Sequence, residues 1–345
     1  MNANEVLADS NWLPVAIGNN KNIIFQKFED DGVSESTFLD NRAKGLTQEK
    51  AQISASVMYN SAKAMKKTQT INELFHISHV GSTLLAKVVQ SLPNSISFRE
   101  PTIFRDIVSK YYDFHAGANP FFAKEMPLLL ASVYTMFRRG SEEHIFIKQT
   151  SGNLILPFQI SDKTKEQIPN PTKGAYLYTS AKNFLSHACK SQGAIGDSVQ
   201  SAPRRIGYFN RLCTFRKLEL ADLKPLEKVG LIWLTEMQKL RARTSLAGHA
   251  NAINFDACLR ENGKESLVDA LCVCFELDDH RDALLGSAAW DSNSKNDKPF
   301  EANERTDTLD KNYLAHKIDV EKALSWIREI CNENVTFAPL LSDLE

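Results

Sequence analysis

From residue 71 onward the chain alternates short apolar runs with amphipathic stretches, and this constrains the fold more than any other feature. INELFHI (71–77) leads into a helical pattern from Ser82 to Leu92, SISF into a helix after Pro101, HIFIK into a helix after Gly152, and GAYLY into a helix from Ala181. Alternation of this kind predicts an α/β fold in three layers, a central parallel sheet with helices on both faces. Residues 201–245 read as mostly helical, with Leu226, Val229 and Trp233 on an apolar stripe. NAINF reads as one more short strand, followed by helices over 255–262 and 265–276, and DVEKALSWIREICNE closes the pattern as a helix.

The first 70 residues read differently. LPVAIGNNKNIIFQKF has the form of a hairpin turning at Gly18, Asn19 and Asn20, followed by a mixed helical segment. We therefore expect an N-terminal preamble over 1–70 packed on a main domain over 71–345. The main domain carries a helical insertion near 201–245 and an exposed loop over 291–307, DSNSKNDKPFEANERTD. A chain of 345 residues can bury a core of that size.

Charge narrows the range of partners. Lysine plus arginine number 41 against 42 aspartate plus glutamate, so no global field draws the protein to nucleic acid or to an acidic membrane. Any anionic ligand must be held locally. The longest apolar segment, MPLLLASVYTMF (126–137), is too short to cross a bilayer, and MNANEVLADSNW lacks the basic start and apolar stretch of a signal peptide. Six cysteines show no CxxC pair, and Cys272 and Cys274 sit in the apolar run LVDALCVCFEL, where they read as core. A reducing, cytoplasmic setting without a metal site is the expectation. Asp278, Asp279 and His280 read as a polar helix junction, and Arg204 with Arg205 as a surface pair opening a helix.

Between the first strand and its helix lies HVGST, with Gly81, Ser82 and Thr83 together at the turn. In an open parallel sheet, ligands bind beyond the carboxyl ends of the strands, where a helix N-terminus offers free N–H groups and the positive end of its dipole. A glycine lets backbone approach an anion, and the two hydroxyls add donors. An ordinary helix cap is the alternative reading of these three residues. A Walker A loop would read GxxxxGK[ST], and neither its first glycine nor its lysine is present, which disfavours an ordinary ATP or GTP hydrolase.

The turn is the first of an ordered set of motifs. HVGSTLLAKVVQSLPNSISFREP resembles the cofactor-binding segment of P-loop sulfotransferases, especially the tyrosylprotein and carbohydrate branch, as a divergent bacterial-type member. On that resemblance Gly81, Ser82 and Thr83 match the loop holding the 5′-phosphate of 3′-phosphoadenosine 5′-phosphosulfate (PAPS). His79 falls at the family's basic residue, and Glu100 at the catalytic acid of the tyrosylprotein branch. IFIKQTSGNL resembles the strand ending in a lysine on the transferring group, which points to Lys148. GAYLYTSAKNFLSHACK resembles the 3′-phosphate segment, with Ser186 at the serine, Tyr178 at the arginine, and Lys182 nearby as a replacement charge. INFDACLRENGKESLVDALCVCFEL resembles the late strand and helices of this fold, and SNSKNDKPF a Ser-Lys loop that makes Ser294 and Lys295 further cofactor candidates. The likeness spans roughly residues 71–300.

The resemblance implies a P-loop nucleoside triphosphate hydrolase-like fold of the sulfotransferase type. It also implies transfer of a sulfuryl group from PAPS to a hydroxyl on a small molecule or peptide, with no metal. Such a transfer needs alignment, charge neutralisation and a base. Lys148 and His79 would stabilise charge and Glu100 would take the proton, while a helix-end carboxylate at Glu100 and a solvated strand end at Lys148 are the competing readings. A nucleotide- or phosphate-binding protein without transfer chemistry is a second expectation, and a divergent nucleotide kinase or hydrolase a third.

Overall fold

The structure, a computed structural model, describes residues 2–65, 69–115, 122–156, 166–168, 172–213, 215–247, 251–291 and 302–345. Eight strands are present among them: β1 (Trp12–Ile17), β2 (Asn22–Phe28), β3 (Leu46–Ser54), β4 (Ile71–His76), β5 (Ser95–Arg99), β6 (His144–Lys148), β7 (Thr172–Tyr178) and β8 (Ala252–Asn254). They form two sheets, three-stranded β1-β2-β3 and five-stranded β5-β6-β4-β7-β8.

The three-stranded sheet is antiparallel. Its first turn is the expected hairpin, made by a 3₁₀ turn over Asn19–Lys21 in which Asn20 and Lys21 take left-handed φ of 54° and 61°. Pro14 lies on the edge strand β1 at a register shift, a position where its missing N–H costs no ladder bond.

In the five-stranded sheet β4 and β5 each pair in parallel with β6, and β7 pairs in parallel with β8. Every residue of β4 is buried, as expected for a parallel strand covered on both faces. That burial includes Glu73, whose carboxylate therefore needs partners: Tyr134 donates to it at 2.5 Å and Gln149 at 2.9 Å. β4 is central, and the chain visits β5 and β6 on one side before β7 and β8 on the other. The loop leaving β4 thus starts at the point where successive connections diverge, the usual ligand position in such sheets. This is the α/β architecture expected from the alternation.

The described residues divide into two compact units. The first comprises 1–75, 82–175 and 274–298, and the second 76–81, 176–273 and 299–345. The first has a continuous apolar core that includes Trp12, Phe25, Met58, Phe104, Leu130 and Ile147. The second is built on the Pro225–Ala247 helix, where Val229, Trp233, Leu234, Met237 and Leu240 are fully buried. From Val229 to Leu240 only Gln238 is not buried, so this is an interior helix, and its polar residues must find partners inside.

Two expectations need correction. Arg204 and Arg205 lie inside the Gln192–Leu212 helix and do not open it, and Arg205 is an inward-facing member of an ion pair. Residues 302–307 are not loop but the start of the Ala302–Ala315 helix. Ser294 and Lys295 lie outside the described residues.

Candidate functional site

In the first unit, Glu100 follows β5 directly and Lys148 ends β6, the neighbouring strand. Their register pairs Arg99 with Lys148, and the Glu100 N–H donates to the Lys148 carbonyl at 2.7 Å. Glu100 has a left-handed φ of 58°, which turns its side chain out of the strand's alternation. The Lys148 ammonium, 1% exposed, donates to the Glu100 carboxylate, 19% exposed. Two residues 48 positions apart, each singled out in the sequence, thus form one buried ion pair at the carboxyl end of the sheet.

The pair has neighbours that sequence reasoning did not single out. The Phe38 ring lies 5.6 Å from Lys148 Nζ and 4.6 Å from the Arg42 guanidinium. Arg42 is in turn held by Asp40 at 2.6 Å. Asp40's carboxyl is held below the usual range, its hydrogen bond to Arg42 outweighing burial. The stretch is anchored by the Leu39 N–H on the Arg99 carbonyl at 2.7 Å, so the segment read as preamble supplies side chains beside Lys148. Ser82 and Thr83, also in this unit, are buried at the start of the Ser82–Gln90 helix.

In the second unit the turn 77–81 is shaped by contacts along its length. The Ser78 N–H donates to Glu236 Oε2 at 2.9 Å, and the His79 carbonyl accepts from Arg305 at 2.8 Å. His79 and Gly81 are both left-handed, at φ 67° and 65°. The His79 ring lies 4.6 Å from that of His187 and 5.6 Å from Phe184. Arg305 also pairs with the fully buried Asp256 at 2.7 Å, and Asp256 accepts from Thr179 at 2.5 Å.

Gly81 has a local reason beyond any ligand. A Cβ there would lie 2.1 Å from Cζ of Phe255, so the ring occupies the space a side chain needs. Its positive φ adds a second demand for glycine.

Ser186 and Lys182 line one cavity of about 240 Å³ with Ser180, Asn183, Arg260 and Tyr313. The Ser186 hydroxyl donates to the Lys182 carbonyl at 2.7 Å, and the Lys182 ammonium sits 3.5 Å from Glu345 and 4.6 Å from the centre of the Tyr313 ring. Tyr178, at the position where the resemblance places an arginine, lies with its ring 5.7 Å from the Arg241 guanidinium, which is itself fixed by both oxygens of Asp343 at 2.6 Å. Burial raises the Tyr178 phenol pKa.

A third cluster was not foreseen. Glu236, fully buried on the interior helix, accepts from Arg205 at 2.8 Å as well as from Ser78. Burial pushes its carboxyl up, but the charge and hydrogen bond of Arg205, the Ser78 N–H and Lys239 outweigh it, and its pKa is lowered. Among the described residues no group of acidic, histidine or cysteine side chains could hold a metal ion, and no helix is long and apolar enough to cross a membrane.

No family model and no curated protein match the chain. Among solved structures it is similar to the sulfotransferase domain from the curacin biosynthetic pathway, at 15% identity and a TM-score of 0.35, covering 65% of this chain and 79% of that one. It is also similar to the sulfotransferase domain of the olefin synthase of Synechococcus PCC 7002, at 16% identity and a TM-score of 0.35, covering 73% of this chain and 88% of that one.

Proposed function

We propose that the protein is a sulfotransferase-like enzyme that moves a sulfuryl group from PAPS to a hydroxyl acceptor. The observation that carries the reading is the Glu100–Lys148 pair at the carboxyl ends of adjacent parallel strands. A transferring sulfuryl group gathers negative charge on its oxygens, and a buried ammonium is worth more there than in water. A carboxylate beside it can take the acceptor's proton.

The donor set suits a nucleotide with separated anionic groups. The N–H groups opening the Ser82–Gln90 helix, with Gly81 and the Ser82 and Thr83 hydroxyls, suit the 5′-phosphate. Ser186 and Lys182, lining one cavity, suit the 3′-phosphate. His79 would donate to the bridging phosphate. PAPS supplies the electron-poor sulfur and the leaving phosphate; Lys148 holds charge, and Glu100 holds the acceptor's proton at a carboxylate oxygen.

Two measurements test this. Calorimetric titration should show adenosine 3′,5′-bisphosphate binding in preference to magnesium ATP, weakened in Ser82→Ala. With sulfate transfer followed over a panel of hydroxyl acceptors, Glu100→Gln should retain bisphosphate binding and lose turnover. Retained turnover would remove Glu100 as base.

A second reading, nucleotide binding without transfer, draws on Tyr178 in place of an arginine and on the commitment of Arg241 to Asp343. Bisphosphate binding with no transfer to any acceptor in the panel would favour it.

A further inference from the structure

Resting on the sulfotransferase-like reading, we propose that Arg260 supplies the charge that is absent at Tyr178. With Lys182 it holds a phosphate group, the 3′-phosphate of the nucleotide, and Asp310 and Glu345 compete with that phosphate for the two cations.

The cavity of about 240 Å³ lies within the second unit, and Arg260 lines it beside Lys182 and Ser186, whereas Tyr178 does not. The Ala181–Ala188 helix brings Lys182, the Phe255–Asn262 helix Arg260, and the Ala302–Ala315 helix Asp310 and Tyr313. The first two helices follow β7 and β8, a parallel pair, so the cavity sits at the carboxyl end of those strands. Its neutral donors are largely committed. The N–H groups of Lys182, Asn183 and Ala257 go to the Leu344 carbonyl at 3.0 Å, the Ser180 hydroxyl at 3.2 Å and Asn254 Oδ1 at 3.2 Å. Ser186, 1% exposed, gives its proton to the Lys182 carbonyl. The charge that a dianionic phosphate needs must come from Lys182 and Arg260, the cations of the lining.

Each cation is held by a carboxylate of the same lining. Arg260 donates to Asp310 at 2.8 Å through one terminal nitrogen, and a guanidinium with five N–H donors keeps others for phosphate oxygens. Lys182 lies 3.5 Å from Glu345, which is shared with Arg328 at the same distance and so has a second cation to turn to. The Tyr313 ring, 4.6 Å from Lys182 Nζ, braces that ammonium from one side. Asp310 is 60% and Glu345 67% exposed, and exposed pairs of this kind contribute little because water solvates both charges when they part. Two cations against two carboxylates make the lining neutral, so a phosphate binds by exchange, and each carboxylate lowers its affinity.

The test is calorimetric titration of the full chain with adenosine 3′,5′-bisphosphate, beside adenosine 5′-phosphate, on wild type, Arg260→Met, Asp310→Asn, Glu345→Gln and Arg260→Met with Asp310→Asn. All three positions are exposed, so the variants should fold, as circular dichroism would verify. We expect Arg260→Met to weaken the bisphosphate by roughly 10-fold or more, as loss of a charge-assisted contact does. Asp310→Asn and Glu345→Gln should each tighten it by about 2- to 5-fold, the size of an exposed ion pair. The double variant should stay roughly 10-fold or more weaker than Asp310→Asn alone, which assigns the loss to the guanidinium and not to a carboxylate set free beside the ligand. Adenosine 5′-phosphate, lacking the 3′ group, should not respond to any of them.

Bisphosphate affinity unchanged in Arg260→Met, recovered in the double variant, or altered equally for adenosine 5′-phosphate would overturn the role of Arg260 and leave the sulfotransferase-like reading standing. Affinity unchanged in Asp310→Asn and Glu345→Gln would overturn the competition. A folded chain that fails to bind the bisphosphate rejects the sulfotransferase-like reading, and inorganic phosphate then decides the cavity. Phosphate binding weakened in Arg260→Met keeps a phosphate site on Lys182 and Arg260; no binding, or binding indifferent to that variant, overturns it.

Discussion

Glu236, at the centre of an interior helix, accepts the backbone N–H of Ser78 at 2.9 Å across 158 positions of sequence. The same carboxylate accepts Arg205 at 2.8 Å, so one buried charge fixes both the entry of the turn and the packing of two long helices. Glu236→Ala would take from Arg205 the carboxylate it pairs with inside, and removing one member of a buried pair costs about 3–5 kcal/mol. The shift also sets an acid limb. Glu236 is lowered from an ordinary value of 4.5, so its stabilisation is complete above 4.5 and is lost as pH falls through the lower folded value. Urea midpoints measured down through that range should fall more steeply for wild type than for Glu236→Gln.

Lys239 produces a slope of the same sign in a separate, alkaline window. Burial and Arg205 bring its ammonium from 10.5 to about 8 in the folded chain. Between those values the unfolded chain holds the extra proton, so this group makes stability rise with pH across the window. The difference in stability between wild type and Lys239→Met should change in favour of wild type from pH 8 to 10.5. A pH-independent difference would show that Lys239 does not titrate there.

Gly81→Ala should destabilise for two separable reasons. The left-handed φ of 65° costs an alanine about 1–2 kcal/mol. The new Cβ would also meet Phe255 at 2.1 Å, and overpacking of that kind costs roughly 1–3 kcal/mol. In a double-mutant cycle, adding Phe255→Ala should recover the steric part alone. Full additivity of the two single effects would mean that the ring does not press on this position.

The strands of the five-stranded sheet were legible because each is a short apolar run ended by a turn, and burial on both faces leaves that signal undiluted. β3 was not. LTQEKAQIS has one buried residue, Ile53, and its place comes from ladder bonds to β2 that leave no apolar alternation. Glu100 and Lys148 could be read because each sits at a strand end in an ordered set of motifs. Glu236 could not, since a glutamate in a helix normally marks a solvated face and only tertiary packing places it inside. Gly81 was read for its approach to an anion, whereas Phe255, 174 positions on, already requires the glycine.

Tyr134→Phe tests the network behind β6. Its hydroxyl donates to the buried Glu73, as does Gln149, which comes directly after Lys148 in the chain. Leaving that carboxylate with fewer donors should cost about 1–3 kcal/mol, read as a lower urea midpoint at unchanged slope.

The Lys148–Glu100 pair separates catalytic from structural roles. Lys148 is 1% exposed and Glu100 19%, so Glu100→Gln leaves a buried ammonium facing a neutral amide in place of a carboxylate, and Lys148→Met leaves a largely covered carboxylate without this ammonium. If the pair were structural only, both variants would lose stability while rate per folded molecule stayed near wild type. If Lys148 donates to a transferring group, Lys148→Met should lower kcat by about 100- to 1000-fold, as loss of one preorganised donor does, with KM for the nucleotide little changed. The double variant decides the point. Removing both charges relieves the stranded ion, so stability should return towards wild type while kcat stays low. Recovery of kcat together with stability would assign the pair to the scaffold and move the chemistry elsewhere.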